Sequence, residues 1–496
     1  MMSTFLYYKI ITHTMITILD CYTDEPAGLG VPPYLGTYPR YIAGSLDNVN
    51  YITIDDLRFL KYYNLEEKKK EISHKTNIKI YNLTKNISNI KELLDNTTRL
   101  IVILGVHTPG KYLSAIPGTL KEVTSLIKDL DCEKVLTGPA IFGTQSEGGK
   151  FFEQTNLDIF DRTDNFDFNY NEIKEYAIKG ADIIKQIPQK RIIEIETARG
   201  CSRTKGCSFC TEPLKHKMEF REKKDIIKEI KAFYNNGCRY FRLGKQSDFY
   251  MYPDIDILRD IRKAFPKIEV LHIDNVNPLS VLSKKGTQIT KAITKYCTEG
   301  NIAAFGVESF DKTVYEQNNL NCEPIGTYEA IKILNKYGAE RGNNGMPKFL
   351  PGINLLFGLK GETKNTHKEN MLWLNKILKN NLLLRRINIR QVSIFEGTEL
   401  YNTVGNKFIK KNKKYYWKWR NEIRQNIDLP MLKKLTPEGI ILKNAKAEIY
   451  DGNTTFCRQI GTYPLIIGVK ERLELNKFYN LKVTQHMLRS VTAVVN

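Results

Sequence analysis

The sequence predicts an α/β protein in three parts: a Rossmann-like parallel-sheet domain, a partial (β/α)6 barrel and a small carboxy-terminal β-barrel. Two observations carry this expectation. From residue 15 to about residue 400, short apolar runs alternate with amphipathic stretches, the rhythm of parallel strands joined by covering helices. After residue 436 the pattern changes to short apolar runs rich in Gly and Thr, with no helical period, as a small closed barrel would give. The 496 residues, 42% of them hydrophobic, can build a sizeable core, and by length predict roughly two to four domains.

Taken in order, residues 1–14 are mildly apolar, contain Lys9 and lack a small-residue cleavage site. They are expected to be an extension ahead of Met15, not a signal peptide. Residues 15–150 form the first domain. Ile16–Leu19 is a strand that precedes the Gly/Pro-rich stretch Glu25–Pro33. Leu100–Val106 is a second strand, ending at His107–Gly110; Thr119–Leu130 is a helix; Lys134–Thr137 is a third strand, ending in Gly138-Pro139. Ligands of such sheets lie beyond the carboxyl ends of the strands, where these loops fall.

Residues 151–190 read as a linker with a helix near Tyr170–Ile187. Residues 191–402 hold six strands, near Ile192–Glu196, Tyr240–Leu243, Glu269–Ile273, Ala303–Val307, Gly352–Phe357 and Ile387–Ile394. Helices such as Ile226–Tyr234 and His367–Leu378 lie between them, hence an open barrel shorter than the eight-stranded form. Residues 403–435 are basic and aromatic: up to residue 434, ten Lys and Arg stand against Glu422 and Asp428. Tyr415, Tyr416, Trp417 and Trp419 could be the buried face of one amphipathic helix or part of a nucleic-acid surface, and their spacing favours the helix. Residues 436–496 form the final barrel.

The formal net charge of +20 points to an anionic partner, nucleic acid first, although an overuse of Lys throughout the chain gives the same sum. No run of about 18 apolar residues spans a membrane. Of nine cysteines, six are scattered singly, which speaks against a disulfide framework and for a reduced, cytoplasmic compartment.

The other three, Cys201, Cys207 and Cys210, follow the strand ending at Glu196 directly. Thiolates ligate iron–sulfur clusters, and four irons ordinarily need four ligands. Three close cysteines without a fourth leave one iron open to chelate a small molecule. A zinc site completed by His216 or Cys238 is the competing reading, and zinc more often staples small modules than opens a large α/β domain.

Here the chain resembles the radical S-adenosylmethionine (SAM) superfamily, in which three cysteines follow the first strand of a partial barrel as Cys-x3-Cys-x2-Cys with an aromatic residue before the last. Phe209 matches that aromatic, and five residues rather than three separate Cys201 from Cys207. Further stretches fall in order. Arg242-Leu-Gly244-Lys-Gln246-Ser247 ends the second strand, without the usual Gly-Gly-Glu, and His272-Ile-Asp274-Asn275 ends the third. Gly306-Val-Glu308-Ser309, Gly358-Leu-Lys-Gly361-Glu362-Thr363 and the Gly397-Thr398 segment resemble motifs of the branch containing methylthiotransferases and cobalamin-dependent enzymes. The whole chain is similar to a mainly archaeal family, at Asp24–Pro33, Gly206–Pro213 and Gly461-Thr-Tyr-Pro464.

The resemblance implies a 4Fe–4S cluster on Cys201, Cys207 and Cys210, SAM contacts among Phe209, Gly244, Gln246, Asp274, Glu308 and Ser309, and a reducing donor such as ferredoxin or flavodoxin. The first domain resembles a cobalamin-binding domain but lacks the Asp-x-His-x-x-Gly signature, since His107 has the wrong spacing, which weighs against cobalamin. Methylthiotransferase-type sulfur insertion is disfavoured, because only Cys21 and Cys132 precede the barrel. The last barrel resembles a TRAM-like RNA-binding domain. Arg458-Gln459, Lys470, Arg472 and Arg489 are candidates to face phosphates, and Tyr463 or Phe456 to stack on bases. The expected function is SAM cleavage to a 5′-deoxyadenosyl radical with RNA as substrate. Modification of a protein or small molecule, through cobalamin or without it, and a nucleic-acid-binding protein with a structural metal are the alternatives.

Overall fold

A computed structural model describes residues 14–22, 35–63, 65, 83–105, 117–142, 144–146, 151–153, 158–189 and 192–496. Residues 1–13 of the expected extension, the Glu25–Pro33 stretch and His107–Gly110 lie outside the described residues.

The first domain is a parallel sheet in the order Val49–Thr53, Ile16–Asp20, Arg99–Ile103, Glu133–Thr137, Arg162–Thr163. All its pairings are parallel. Two of these strands went unforeseen. Val49–Thr53 carries two polar residues in five, and Arg162–Thr163 is only two residues long, so neither gives a readable apolar run. The second lies in the stretch read as a linker, which therefore contributes to the sheet. The strand order reverses between Ile16–Asp20 and Arg99–Ile103, the switch point at which such sheets bind ligands.

Six parallel strands follow: Ile193–Glu196, Tyr240–Gly244, Val270–Ile273 continuing as Asn275–Val276, Asn301–Glu308, Phe349–Phe357 and Arg386–Gln391. The third strand changes partner at Asp274, pairing with Tyr240–Leu243 before it and with Ala304-Phe305 after it. Alternation sorts the side chains. Ile193, Ile195, Phe241, Leu243, Leu271, Ile273, Phe305, Ile353, Ile387 and Ile389 join one apolar core with helix residues such as Ile230, Ile261, Ile331 and Leu374. The intervening positions, including Glu194, Glu196, Arg242, His272, Asn354, Asn388 and Arg390, point inward, so the lumen is polar.

A partial barrel has two free edges whose backbone groups still need partners. At the first, Leu35 bridges Ile193 in parallel: its amide donates to the Ile192 carbonyl, and its own carbonyl accepts from the Glu194 amide. Arg40, fully buried on helix Thr37–Ser45, donates to the Glu194 carbonyl and ion-pairs with Glu229. Arg221 donates to the Glu196 carbonyl at 3.0 Å and to Glu229 at 2.6 Å. At the other edge, Arg424 donates to the Ile387 carbonyl at 2.7 Å. It sits where helix Lys407–Ile423 passes through a wide turn, Arg424–Asp428. That helix is amphipathic with one departure: Trp419 is buried, stacked on His367 and Tyr415, whereas Trp417, expected on the same buried face, is 63% exposed.

The carboxy-terminal residues form a closed barrel in the order Ile441–Asp451, Thr454–Gln459, Ile466–Val469, Ser490–Val495, Phe478–His486. Two sequence expectations are corrected here. Arg458 is buried and ion-paired with Glu448 within the barrel. Tyr463 faces away from solvent: the Arg386 guanidinium stacks 4.2 Å from its ring, and Ile460 and Tyr463 pack against Ile192, Tyr240 and Val270 at the lower mouth of the large barrel. Gly461-Thr-Tyr-Pro464 is thus a plug. The Thr462 amide and hydroxyl meet His272 Nδ1 at 3.0 and 3.2 Å, and a Cβ on Gly461 would stand 3.0 Å from the imidazole. Burial pushes His272 down to about 3, so its ring is neutral and accepts from the Thr462 amide. Lys470 and Arg472 do lie at the surface, where Arg472 covers the Tyr450 ring.

Glu229→Ala strands two buried guanidiniums. It is expected to cost about 3–5 kcal/mol of stability, read as a lower urea midpoint; a loss under about 1 kcal/mol would mean that water replaces the carboxylate.

Candidate active site

The three cysteines lie on one loop leaving the strand Ile193–Glu196 at its carboxyl end. All three are half-buried. Gly200 turns the chain with φ +79°, and Cys201 bridges Lys217. The Cys210 amide donates to the Cys207 carbonyl at 3.0 Å, closing the turn that carries both. Cys210 lies within electrostatic reach of both other thiols. Burial pushes the Cys207 thiol up to about 12 and raises that of Cys210; beside Cys207, Arg203 opposes the shift. Arg203 Nη1 donates to Cys207 Sγ at 3.2 Å and to Asn321 at 3.0 Å. Among the described residues, no three His, Cys, Asp or Glu side chains close on a single metal-sized point.

Asn318 fixes this loop. Its side-chain oxygen accepts from Ser208 Oγ at 2.8 Å and from the Lys360 amide at 3.2 Å. Its amide nitrogen donates to the Lys360 carbonyl at 2.8 Å, and its own carbonyl accepts from the Ser208 amide at 2.9 Å. One buried side chain therefore ties the cysteine loop to the Gly358–Thr363 turn. That turn is held in turn by Glu362, which accepts from the Gly358 amide at 2.7 Å and from Asn412 at 2.8 Å. Burial raises Glu362 to about 7. The Gly397-Thr398 segment adds a third anchor: the Leu400 amide donates to the Ser208 carbonyl at 2.7 Å. Phe209 packs with Val314, Leu320, Leu359, Val392 and Leu400 beneath the loop. The motifs recognised separately in the sequence are thus one connected scaffold. Asn318 and Arg203 were missed, because an Asn at a helix end and an Arg in a polar loop carry no spacing signal.

The structure treats the other candidates differently. Gly244 lies where any side chain would strike the Glu194 carboxylate. Gln246 is buried and turned inward, accepting from Thr197 Oγ1 at 3.1 Å and donating to the Leu243 carbonyl at 3.2 Å. Asp274 is buried 3.7 Å from Arg242, which pairs with Glu194 at 2.7 Å. Ser309 Oγ accepts from the Asp311 amide at 3.1 Å. Glu308 has φ +62°, a conformation that non-glycine residues adopt only when their surroundings impose it. It lies within electrostatic reach of Cys207 on one side and of Arg390 on the other. Burial pushes its carboxyl up to about 8, against the pull of Arg390.

A sequence profile of the Radical SAM superfamily matches residues 195–374. An uncharacterised protein of Methanocaldococcus jannaschii is 40% identical, over 96% of this chain and 92% of its own. Another, of Archaeoglobus fulgidus, is 37% identical over 96% and 89%. Among solved structures, the radical S-adenosylmethionine methyltransferase TsrM from Kitasatospora setae, with tryptophan substrate and a SAM analogue bound, overlays with a TM-score of 0.47 at 12% identity, over 76% of this chain and 72% of its own.

Asn318→Ala leaves the Ser208 hydroxyl and both backbone groups of Lys360 without their partner. The expected cost is about 1–3 kcal/mol, with faster alkylation of Cys207 by a thiol reagent. Unchanged melting and alkylation would show that Leu400 and Phe209 suffice to hold the loop.

Proposed function

From the premise that the chain belongs to the family of these two archaeal proteins and is a radical SAM superfamily enzyme, we propose that Cys201, Cys207 and Cys210 hold a 4Fe–4S cluster with one iron left open for SAM. The observation that carries this is the placement of three thiols on one braced loop at the carboxyl ends of the barrel strands, beside Glu308. The donor set fits: thiolates are the ligands of such clusters, and a guanidinium N–H already points at Cys207 Sγ. When bound, the cluster would supply the electron that splits SAM into methionine and a 5′-deoxyadenosyl radical.

The remaining roles belong to the chain. Gly244 brings its buried backbone against the Glu194 carboxylate at the end of the second strand, and Glu308 is a half-buried carboxyl near Cys207, so these two are assigned to SAM. Gln246, Ser309 and Phe209 hold the walls, since their polar groups or rings are engaged within the protein. Asp274 sets the charge of the lumen through Arg242. An external one-electron donor such as ferredoxin or flavodoxin is required. The favoured substrate class is RNA, supported by the net charge of +20 and by a small closed barrel docked on the catalytic one.

Cobalamin is a second reading, favoured by the switch point between Ile16–Asp20 and Arg99–Ile103. Cobalamin carried through gel filtration with the protein, seen by its visible absorbance, would support it; free elution removes it.

Anaerobically reconstituted protein is expected to carry about four iron and four sulfide, and on reduction to convert SAM to 5′-deoxyadenosine, detected by mass spectrometry. Cys210→Ala should lose both properties. Stoichiometric zinc, or cluster-replete protein that yields no 5′-deoxyadenosine even with cellular RNA present, would overturn the reading.

A further inference from the structure

The last strand of the large barrel carries Arg386 and Arg390 four residues apart, hence on the same inward face. Alongside it runs the helix bearing Arg420 and, one turn on, Arg424. Arg489 reaches the same place from the turn between the last two strands of the small barrel. It lies within electrostatic reach of Arg424, Arg386, Asp428 and Arg420. Three separate elements thus bring five guanidiniums into one neighbourhood, where Asp428 lies near Arg424, Arg489 and Arg386 and is paired with Arg424.

Two of the five have structural work. Arg424 closes the strand edge, and Arg386 lies on Tyr463. Burial, together with Arg390, Arg385 and Arg424 nearby, pushes Arg386 down to about 10. Among the described residues, Arg390, Arg420 and Arg489 have no ion-pair partner. Arg390 and Arg489 are exposed, and Arg420 is half-buried with its guanidinium 5.2 Å from the ring of Trp417, itself 63% exposed. Concentrating like charges at a packed junction opposes folding unless an anion is to be bound there. The forked guanidinium suits phosphate oxygens, and an exposed indole beside it offers a stacking face. The row leads from the small barrel along the last strand to Arg390, which lies within electrostatic reach of Glu308.

We propose that this arginine row binds the phosphodiester backbone of a single-stranded RNA, with Trp417 stacking on a base, and guides one nucleotide along the open edge of the large barrel toward Glu308. The proposal rests on the enzymatic reading above for its destination, but the binding itself can be measured without SAM or reductant.

The test is fluorescence anisotropy of a labelled single-stranded RNA with the full-length protein across a salt series. Each lost phosphate contact should make the slope of log K against log salt shallower by about 0.7. Arg420→Ala/Arg489→Ala is therefore expected to bind several-fold more weakly, with a slope shallower by about 1.4. Arg420→Lys/Arg489→Lys, which keeps the charge, should hold the slope near wild type, and Trp417→Ala should weaken binding without altering it. Melting curves confirm that each variant folds. A double-alanine variant matching wild type in affinity and slope overturns the proposal. So does competition by a mononucleotide as effective as that by the oligomer, which would make this a small phosphate site, or equal competition by polyglutamate. RNA binding that fails while SAM cleavage proceeds removes this inference alone. Arginine-dependent binding without SAM cleavage removes the enzymatic reading alone.

Discussion

The carboxylate of Glu229, shared between the guanidiniums of Arg40 and Arg221, is the interaction on which the architecture turns. All three groups are buried. Burying charge is costly, and it is tolerated here because each guanidinium also reaches a main-chain carbonyl of the first barrel strand, at Glu194 and Glu196. Those carbonyls belong to a strand edge left open by the incomplete barrel. The same contacts hold the first domain, through Arg40, against the strand from which the cysteine loop departs. Helix contacts nearby are correspondingly tight: a Cβ on Gly44 or Gly180 would collide with the Tyr176 or Arg40 carbonyl. Arg424 treats the opposite edge in the same way with Asp428. An open barrel is stable here because arginines take the place of the missing neighbouring strands.

Much of this was legible in the sequence. The six barrel strands announce themselves because their outward faces must be apolar to meet the helices, and the cysteine spacing stands out because three thiols fall within ten residues. Glu308 stood out by its motif, and nothing in that motif announced its left-handed backbone. What failed was direction. A basic or aromatic residue in a β-barrel reads the same whether it faces solvent or a neighbour. Arg458 and Tyr463 were therefore placed on the surface, although one is paired within the barrel and the other plugs the domain beside it. Single Asn hubs such as Asn318 give no periodic signal at all.

The lumen combines carboxylates and guanidiniums at close range. Glu194, Arg242 and Asp274 form a line across three adjacent strands. Gly244 lets the second strand lie against the Glu194 carboxylate, where a Cβ would collide with it. A polar, crowded interior of this kind orients a charged small molecule by fixed dipoles already in place before it arrives, so little reorganisation accompanies binding.

The Gly461–Pro464 plug gives the large barrel a floor. With Tyr463 and Ile460 seated against Ile192, Tyr240 and Val270, the lower mouth is occupied by protein. The polar lumen is therefore closed at its lower mouth by residues of a different domain. A floor borrowed from another domain also makes the shape of the lumen depend on how that domain is seated, so a change in the small barrel is felt inside the large one.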